Sequence, residues 1–337
     1  MSIKTLEEMT RQALQQRNPH MSFGWQGGEP TLMGLSFFKK AVEFQTKYGA
    51  GKTVGNGFQT NGILLNTAWA EFFKEYNFLI GLSLDGPEHI HDHYRIKKNG
   101  KGSWKKVYNS AKMLLAAGVE TNALIVVNDY SVNFPEEIYA FHKELGLNYM
   151  QFIPCVETDP AHPENAAPFS VSAEQYGVFL TKVFDLWHAD IKDGIATTSV
   201  RYFDSVFYNY VGLEAPECTL SKICGGYLVV EHNGNVYSCD FFVDGDWKLG
   251  NVMTGSMQEM LNSDRQNEFG NLKADLPVEC ITCEWLKKCW GGCTKDRIRD
   301  PKDKGSNHFC ESYKIFFNHA DTKLNELAVE WKSNQQR

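Results

Sequence analysis

A parallel α/β fold followed by a small cysteine-rich α+β domain is what this sequence predicts, and three observations carry the prediction. From Met21 to about Pro154, short apolar runs alternate with helix-period segments, the pattern of βα units on a parallel sheet or a TIM-like barrel. Eight of the nine cysteines fall between residues 218 and 310. The length, 337 residues, is a soft prior for two domains.

Residues 1–20 read as a helix, with Ile3, Leu6, Met9, Ala13 and Leu14 near helical spacing and Asn18-Pro19 ending it. Five strands then follow, four of them with a helix behind: MSFGWQ and LSFFKKAVEFQTKYG, TVGNGFQ and TAWAEFFKEY, FLIGLSLDG and SWKKVYNSAKMLLAAG, VETNALIVV and NFPEEIYAFHKELG, and finally NYMQFIP. Gly118 and Gly146 stand where helix C-caps belong. In parallel α/β folds the functional loops lie at the carboxyl ends of strands, so chemistry is expected in GGEPT, QTNG, SLDGP, VND and PCVE.

Residues 155–170 contain three prolines and little periodicity, and they read as a loop that breaks the pattern. Residues 172–190 and 200–212 read as helices whose aromatic stripes (Phe179, Phe184, Trp187; Tyr202, Phe203, Phe207, Tyr210) are ordinary core. In YLVVEHNGNVYSCDF, the pair Asn233-Gly234 predicts a hairpin with a type I′ turn, which needs positive φ at both positions. The stretch YKIFFNHADTKLNELAVEWK predicts an amphipathic terminal helix. These divisions give a first domain at 1–170, a helical connection at 171–215 and a cysteine-rich domain at 216–337.

Composition excludes several classes. With 42% hydrophobic and 22% charged residues the chain is neither disordered nor a repeat. No apolar run approaches the ~20 residues that span a bilayer, and the charged amphipathic start is unlike a signal peptide, so a cytoplasmic address and no membrane partner are expected. A formal charge of −7 without a basic block argues against nucleic acid.

The cysteines are spaced C-x5-C-x14-C (Cys218, Cys224, Cys239), then C-x2-C-x5-C-x3-C (Cys280, Cys283, Cys289, Cys293), then Cys310. Clustered thiols in a reducing pool more often bind metal than form disulfides. Four thiolates hold one tetrahedral zinc or one [4Fe–4S] cluster, and eight make two sets. Zinc sites tend to use two short knuckles, and only one, Cys280 with Cys283, is present. The longer steps suit the larger cube, with zinc, or free or disulfide-bonded cysteines, left open by spacing alone.

The run from Cys224 through Gly234, Cys239, the C-x2-C-x5-C-x3-C segment and Cys310 resembles the SPASM domain of radical S-adenosylmethionine (SAM) enzymes, which carries two auxiliary [4Fe–4S] clusters. With Cys218 and the upstream WQGGEPTL, QTNG and GLSLDGP segments, nearly the whole chain resembles the anaerobic sulfatase-maturating enzymes. The resemblance implies that Cys218, Cys224, Cys239 and Cys293 ligate one auxiliary cluster, and Cys280, Cys283, Cys289 and Cys310 the other. It implies a (β/α)6 barrel and oxidation of a Cys or Ser in an unfolded or nascent sulfatase polypeptide to Cα-formylglycine. Flavodoxin or ferredoxin is the kind of electron donor implied.

The same resemblance implies a SAM pocket. Gly27, Gly28 and Glu29 would meet the methionine amino group through carbonyls and a carboxylate, although the segment alone reads as an ordinary βα turn. Ser83 would bond the ribose. Arg95 would fork onto the SAM carboxylate, where the residue alone reads as a solvated loop charge. Val156 would offer its backbone to adenine. Asp240, which alone reads as a turn or cap residue, matches the general base. Removing a Cβ hydrogen from the substrate leaves a carbon radical, and deprotonating the SH or OH as one electron departs gives the thioaldehyde or aldehyde.

Radical SAM enzymes hold the SAM-cutting cluster in C-x3-C-x2-C after the first strand, and that motif is not among these residues. Cys155, the only cysteine before Cys218, reads as a small buried hydrophobe. A strand and its loop, roughly 30 residues on the scale of a βα unit, are therefore expected ahead of Met1, with a misplaced start or a fragment favoured over a truncated gene product. As written, the chain is expected not to reduce SAM unaided, and MSFGWQ should form an open barrel edge. Two other readings stand beside this one: a SPASM enzyme modifying ribosomally made peptides, and a non-catalytic Fe–S or zinc binding module.

Overall fold

The computed structural model describes residues 1–162, 165–192, 194–298 and 306–335. Through residue 154 the chain runs α1 (Ile3–Leu14), β1 (His20–Trp25), α2 (Leu35–Tyr48), β2 (Thr53–Thr60), α3 (Thr67–Glu75), β3 (Leu79–Ser83), α4 (Glu88–Tyr94), α5 (Trp104–Ala116), β4 (Thr121–Val127), α6 (Pro135–Leu145) and β5 (Tyr149–Pro154). It continues with α7 (Ala173–Ala189), three two-residue strands β6 (Ile191–Lys192), β7 (Ile195–Ala196) and β8 (Ser199–Val200), and α8 (Arg201–Val211). The cysteine-rich part holds β9 (Val229–Val230), β10 (Asn235–Tyr237), β11 (Lys248–Asn251), α9 (Met257–Leu261), α10 (Asp264–Leu272), α11 (Val278–Ile281), α12 (Leu286–Cys289), α13 (Thr294–Ile298) and α14 (Cys310–Gln335). No helix among the described residues is long and apolar enough to cross a membrane.

All five expected strands form, and the helices expected behind the first four are present. Several elements are additional, among them α4 and β8. The short helix α4 lies between β3 and α5, and β8 pairs with β5 in parallel through Tyr149–Ser199 and Met150–Val200. Both are too short to show a period in the sequence. The proline-rich loop is largely irregular, with one isolated bridge between Thr158 and Ala166; its Pro163 and Glu164 lie outside the described residues.

The described residues gather into two compact units that interleave chain segments. The first comprises Met1–Leu82, Asn109–Thr121 and Ile223–Leu272. Here β1 runs parallel to β2 from the His20–Thr53 pair to Trp25–Phe58, and β2 to β3 from Gly57–Leu79 to Thr60–Leu82. The Ser2 hydroxyl caps α1 by accepting from the Thr5 N–H at 3.0 Å, and the helix buries Leu6, Met9, Ala13 and Leu14 while Ile3 stays exposed. Phe38, Phe58, Trp69 and Phe73 form the centre of the core, with ring centroids 4.9 Å apart for Phe38–Phe58 and 5.0 Å for Phe58–Phe73. Val236, Val252, Met257 and Met260 join that core, so the segment after Cys224 packs with the amino-terminal strands.

The expected hairpin is present, as β9 against β10, but its turn is not type I′. Among the described residues only Asn77 and Trp290 are non-glycine residues with positive φ, so Asn233 keeps a negative φ and Gly234 alone is left-handed, at 84°. The Gly234 N–H donates to the Glu231 carbonyl at 2.8 Å, which makes the loop a longer turn closed by a glycine bulge. The Asn-Gly pair marked the hairpin correctly because both turn types want glycine at that position.

The second unit comprises Ser83–Tyr108, Asn122–Lys222 and Lys273–Arg337. Within it β4 runs parallel to β5 from Ala123–Met150 to Val127–Pro154. Gly146, at φ 90°, ends α6 as expected. The aromatic stripes are core: Phe179, Phe184, Trp187 and Phe203 are buried, as is Tyr210, whereas Tyr202 and Phe207 are half-buried. The expected terminal helix is α14, and it begins earlier than its apolar period, at Cys310. It packs on α7 through Phe184 and Phe316, 5.6 Å between centroids, and through Asp185, which accepts from His319 at 2.9 Å and Lys323 at 2.7 Å.

The two helices pack tightly at Gly177. A Cβ there would stand 2.9 Å from Ile315 Cδ1 and 3.0 Å from the Ser312 Cα. Replacing Gly177 with Leu is therefore expected to destabilise the chain by about 2–3 kcal/mol despite the better helix propensity of leucine, measured by urea unfolding.

Candidate functional site

In the first unit the loop after β1 and the residue after Cys239 meet through one glutamine. Gln26 Nε2 donates to Asp240 Oδ2 at 2.9 Å, and the Tyr227 hydroxyl donates to Oδ1 at 2.8 Å. Both oxygens of the half-buried Asp240 are thus held by neutral donors, which fixes the plane of the carboxylate without neutralising its charge. Cys239 Sγ lies 3.4 Å from Oδ1 and 3.4 Å from the Tyr227 hydroxyl. Burial pushes the Cys239 thiol up to about 11, and the same burial, with Cys239 and Asp240 nearby, raises Tyr227. Cys224, in the same unit, donates its N–H to the Gly270 carbonyl at 3.2 Å.

Gly27 and Gly28 have φ of 83° and 53°, successive left-handed positions that only glycine adopts without strain. Glu29, expected to face a ligand ammonium, has four donors of its own. Its Oε1 accepts from the Thr31 N–H (3.0 Å), Thr31 Oγ1 (2.5 Å) and Thr60 Oγ1 (2.9 Å), and its Oε2 from the Asn61 N–H (2.8 Å). The carboxylate therefore ties the GGEP loop to the QTNG loop at the end of β2.

In the second unit Ser83 is half-buried at the end of β3, and Val156 is fully buried just after β5. Arg95, the C-cap of α4, places Nε 2.5 Å and Nη2 3.0 Å from the two oxygens of Asp85. Asp85 is 4% exposed and also accepts the Val126 N–H at 2.9 Å, so the guanidinium is aimed by a buried carboxylate before any ligand arrives. Fork bonding spends two of its five N–H groups and leaves the others for a second anion. His91 completes the loop: its Nδ1 accepts the Asp85 N–H at 3.3 Å, and its Nε2 lies 2.9 Å from Ser103 Oγ, whose proton goes to the Arg95 carbonyl at 2.7 Å. That pattern demands a neutral ring, and burial lowers its pKa to about 4.

Cys155 is half-buried rather than packed away as expected. Its N–H donates to the Val127 carbonyl at 2.8 Å, and the charges around it are those of Lys295, Asp129 and Asp85; burial raises its thiol. Its place directly after a strand end puts it among polar loops.

The second unit also contains a cavity lined by Cys280, Cys283, Cys289 and Cys310 together with Trp285 and Tyr313. These are the four cysteines the resemblance groups as one cluster. Burial and the neighbouring Cys310 raise the Cys280 thiol, and burial lifts Cys289 to about 12. Trp290, Gly291 and Gly292 are consecutive left-handed residues between Cys289 and Cys293, and the Gly291 N–H is directed at Cys289. Four soft ligands around one desolvated space suit an iron–sulfur cube, and among the described residues no group of three or more His, Cys, Asp or Glu is placed to hold a single metal ion. Cys218 is exposed and Cys293 half-buried in this unit.

Sequence reasoning passed over Gln26, Tyr227, Asp85 and His91. Gln26 is adjacent to GGEP and Asp85 lies inside SLDGP, so both were inside flagged segments; nothing in sequence marks Tyr227 or His91.

Parallel α/β strands and, in the second unit, a cavity lined by four thiols suit the class of iron–sulfur proteins. The radical SAM superfamily model matches residues 1–142 and the SPASM iron–sulfur cluster-binding domain model residues 218–284. The serine-type anaerobic sulfatase-maturating enzyme of Bacteroides thetaiotaomicron is 40% identical over 336 residues, covering 95% of this chain and 80% of that protein. The cysteine-type enzyme of Clostridium novyi is 37% identical over 331 residues, covering 97% and 88%. The solved structure of native anSMEcpe with bound AdoMet and the Cp18Cys peptide superposes with a TM-score of 0.91 at 35% identity, covering 98% of this chain and 91% of that one. The chain belongs to the anaerobic sulfatase-maturating enzymes, a family of radical SAM enzymes with a SPASM domain.

The His91 ring yields a pH prediction. Between pH 6.5 and about 4 the unfolded ring takes a proton that the folded one refuses, so stability falls as pH drops through that window, by roughly 3 kcal/mol for this ring. Urea unfolding at pH 7 and pH 4.5 should show a smaller loss in His91→Gln than in the unaltered chain; equal losses would contradict the assignment.

Proposed function

We propose that this protein oxidises an active-site Cys or Ser of a sulfatase polypeptide to Cα-formylglycine. The observation that carries the reading is Asp240, next to Cys239 and held at both oxygens by Gln26 and Tyr227. Cys218, Cys224, Cys239 and Cys293 would hold one [4Fe–4S] cluster, and Cys280, Cys283, Cys289 and Cys310 the other. Gly27, Gly28, Ser83, Arg95 and the Val156 backbone would hold SAM, with Glu29 fixing the glycine loop. When bound, SAM reduced by a further cluster, whose C-x3-C-x2-C ligands are not among these residues, would supply hydrogen-atom abstraction at Cβ, and an auxiliary cluster would take the departing electron.

The chain's own part is the proton. A substrate SH or OH hydrogen-bonded to Asp240 passes its proton to the carboxylate, which Gln26 and Tyr227 keep oriented for acceptance. Arg95 on Asp85 presents a preset cation to a ligand carboxylate, so little ordering remains for binding. The electron donor is read as a flavodoxin or ferredoxin and the compartment as cytoplasm. The relatives include both serine-type and cysteine-type enzymes, so both substrate types belong in the test.

The experiment uses the protein produced from its genomic reading frame, incubated anaerobically with SAM, dithionite and a C-x-P-x-R or S-x-P-x-R peptide. Mass spectrometry should show formylglycine in one or both. Asp240→Asn is expected to lower turnover by about 10²–10⁴-fold with iron content and SAM affinity unchanged. Modification of an unrelated ribosomal peptide with none of the sulfatase peptide would favour the other SPASM chemistry and overturn the reading.

A further inference from the structure

One wall of the cavity of Cys280, Cys283, Cys289 and Cys310 is a tyrosine that the proton chemistry above does not use. Tyr313 stands three residues after Cys310 in the first turn of α14, and side chains three apart share a helix face, so both line the same space. The ring is held on two sides. It stacks on Tyr202 with centroids 6.0 Å apart and planes at 25°, and a Cβ on Gly292 would stand 3.2 Å from its Cε2. The backbone between Cys289 and Cys293 therefore passes directly against it.

The hydroxyl is the unexplained part. Tyr313 is 9% exposed, and among the described residues its hydroxyl has no hydrogen-bond partner, so burial and neighbouring charges alone act on it. Three other polar side chains on the wall are provided for. Asn307 Nδ2 donates to the Cys293 carbonyl at 3.1 Å, Glu279 Oε2 accepts from Ser306 Oγ at 3.3 Å, and Lys314 Nζ stands 3.7 Å from Glu311 Oε2. A buried hydroxyl left unpaired costs stability, and phenylalanine would fill the same space without that cost. Packing alone does not account for a tyrosine here. An iron–sulfur cube on the four thiolates offers sulfur acceptors at this wall, and the potential of such a cluster follows the hydrogen bonds to its sulfurs.

We infer that the Tyr313 hydroxyl donates a hydrogen bond to a sulfur of the cluster held by Cys280, Cys283, Cys289 and Cys310, and so acts as a redox-tuning residue. A hydrogen bond strengthens as its acceptor becomes more negative, so this one favours the reduced state, raises the midpoint potential and makes the cluster easier to reduce. The inference rests on the reading that these cysteines hold a [4Fe–4S] cluster.

The test is an EPR-monitored redox titration of the anaerobically reconstituted chain. Tyr313→Phe keeps the ring and loses only the hydroxyl, so it should keep its iron and move one cluster midpoint to more negative potential, leaving the other in place. Urea unfolding of the metal-free chains is the second readout. A hydroxyl without a protein partner predicts that Tyr313→Phe is at least as stable as the unaltered chain. Unchanged midpoints in iron-loaded Tyr313→Phe would overturn the inference, and so would a metal-free variant less stable than the unaltered chain, because the hydroxyl would then be serving the protein itself. Where the variant takes up too little iron to titrate, the unfolding comparison decides alone. An unaltered chain that takes up no iron at all would instead remove the cluster reading.

Discussion

Gathering four thiols in a desolvated space is unfavourable for their charged forms, and much of the cysteine-rich architecture follows from that constraint. Without a compensating group the thiols of Cys280 and Cys289 are driven toward the neutral state. A cationic metal core reverses this by taking thiolates as ligands, so the cavity gains most of its stability when filled. The Gly291 N–H aimed at Cys289 favours negative charge there. A stability-driven core would have put apolar side chains there.

Asp240 in the first unit and Asp85 in the second show how environment separates two carboxylates. Asp85 is buried and paired with an arginine that it holds in place. Asp240 is half-buried and receives two neutral donors, which fix the plane of its carboxylate. Glu29 is closer to Asp85 in kind: its four donors consume its acceptor capacity in holding two loops together.

The parallel α/β pattern and the terminal helix were legible because period and punctuation are local properties. The cysteine set was legible because ligand spacing is written along the chain. Partners that meet only in three dimensions were not. Asp85 and Arg95 are ten residues apart and are joined by a helix too short to recognise. Lys273 and Arg297 sit in charged stretches, NLKADL and TKDRIRD, yet both are buried. Asn233 was misread in detail because loop length, which the sequence does not print, decides between turn types that share the same Asn-Gly pair.

The central claim is that this chain is an iron–sulfur protein whose eight clustered cysteines serve as ligands. Mössbauer spectroscopy with iron analysis on the anaerobically reconstituted chain addresses it most directly. The account predicts a brown protein with about eight irons per chain, all in [4Fe–4S] clusters, and about four after Cys283 and Cys289 are replaced together by alanine. A colourless protein carrying zinc, or an iron content indifferent to that double replacement, would contradict it.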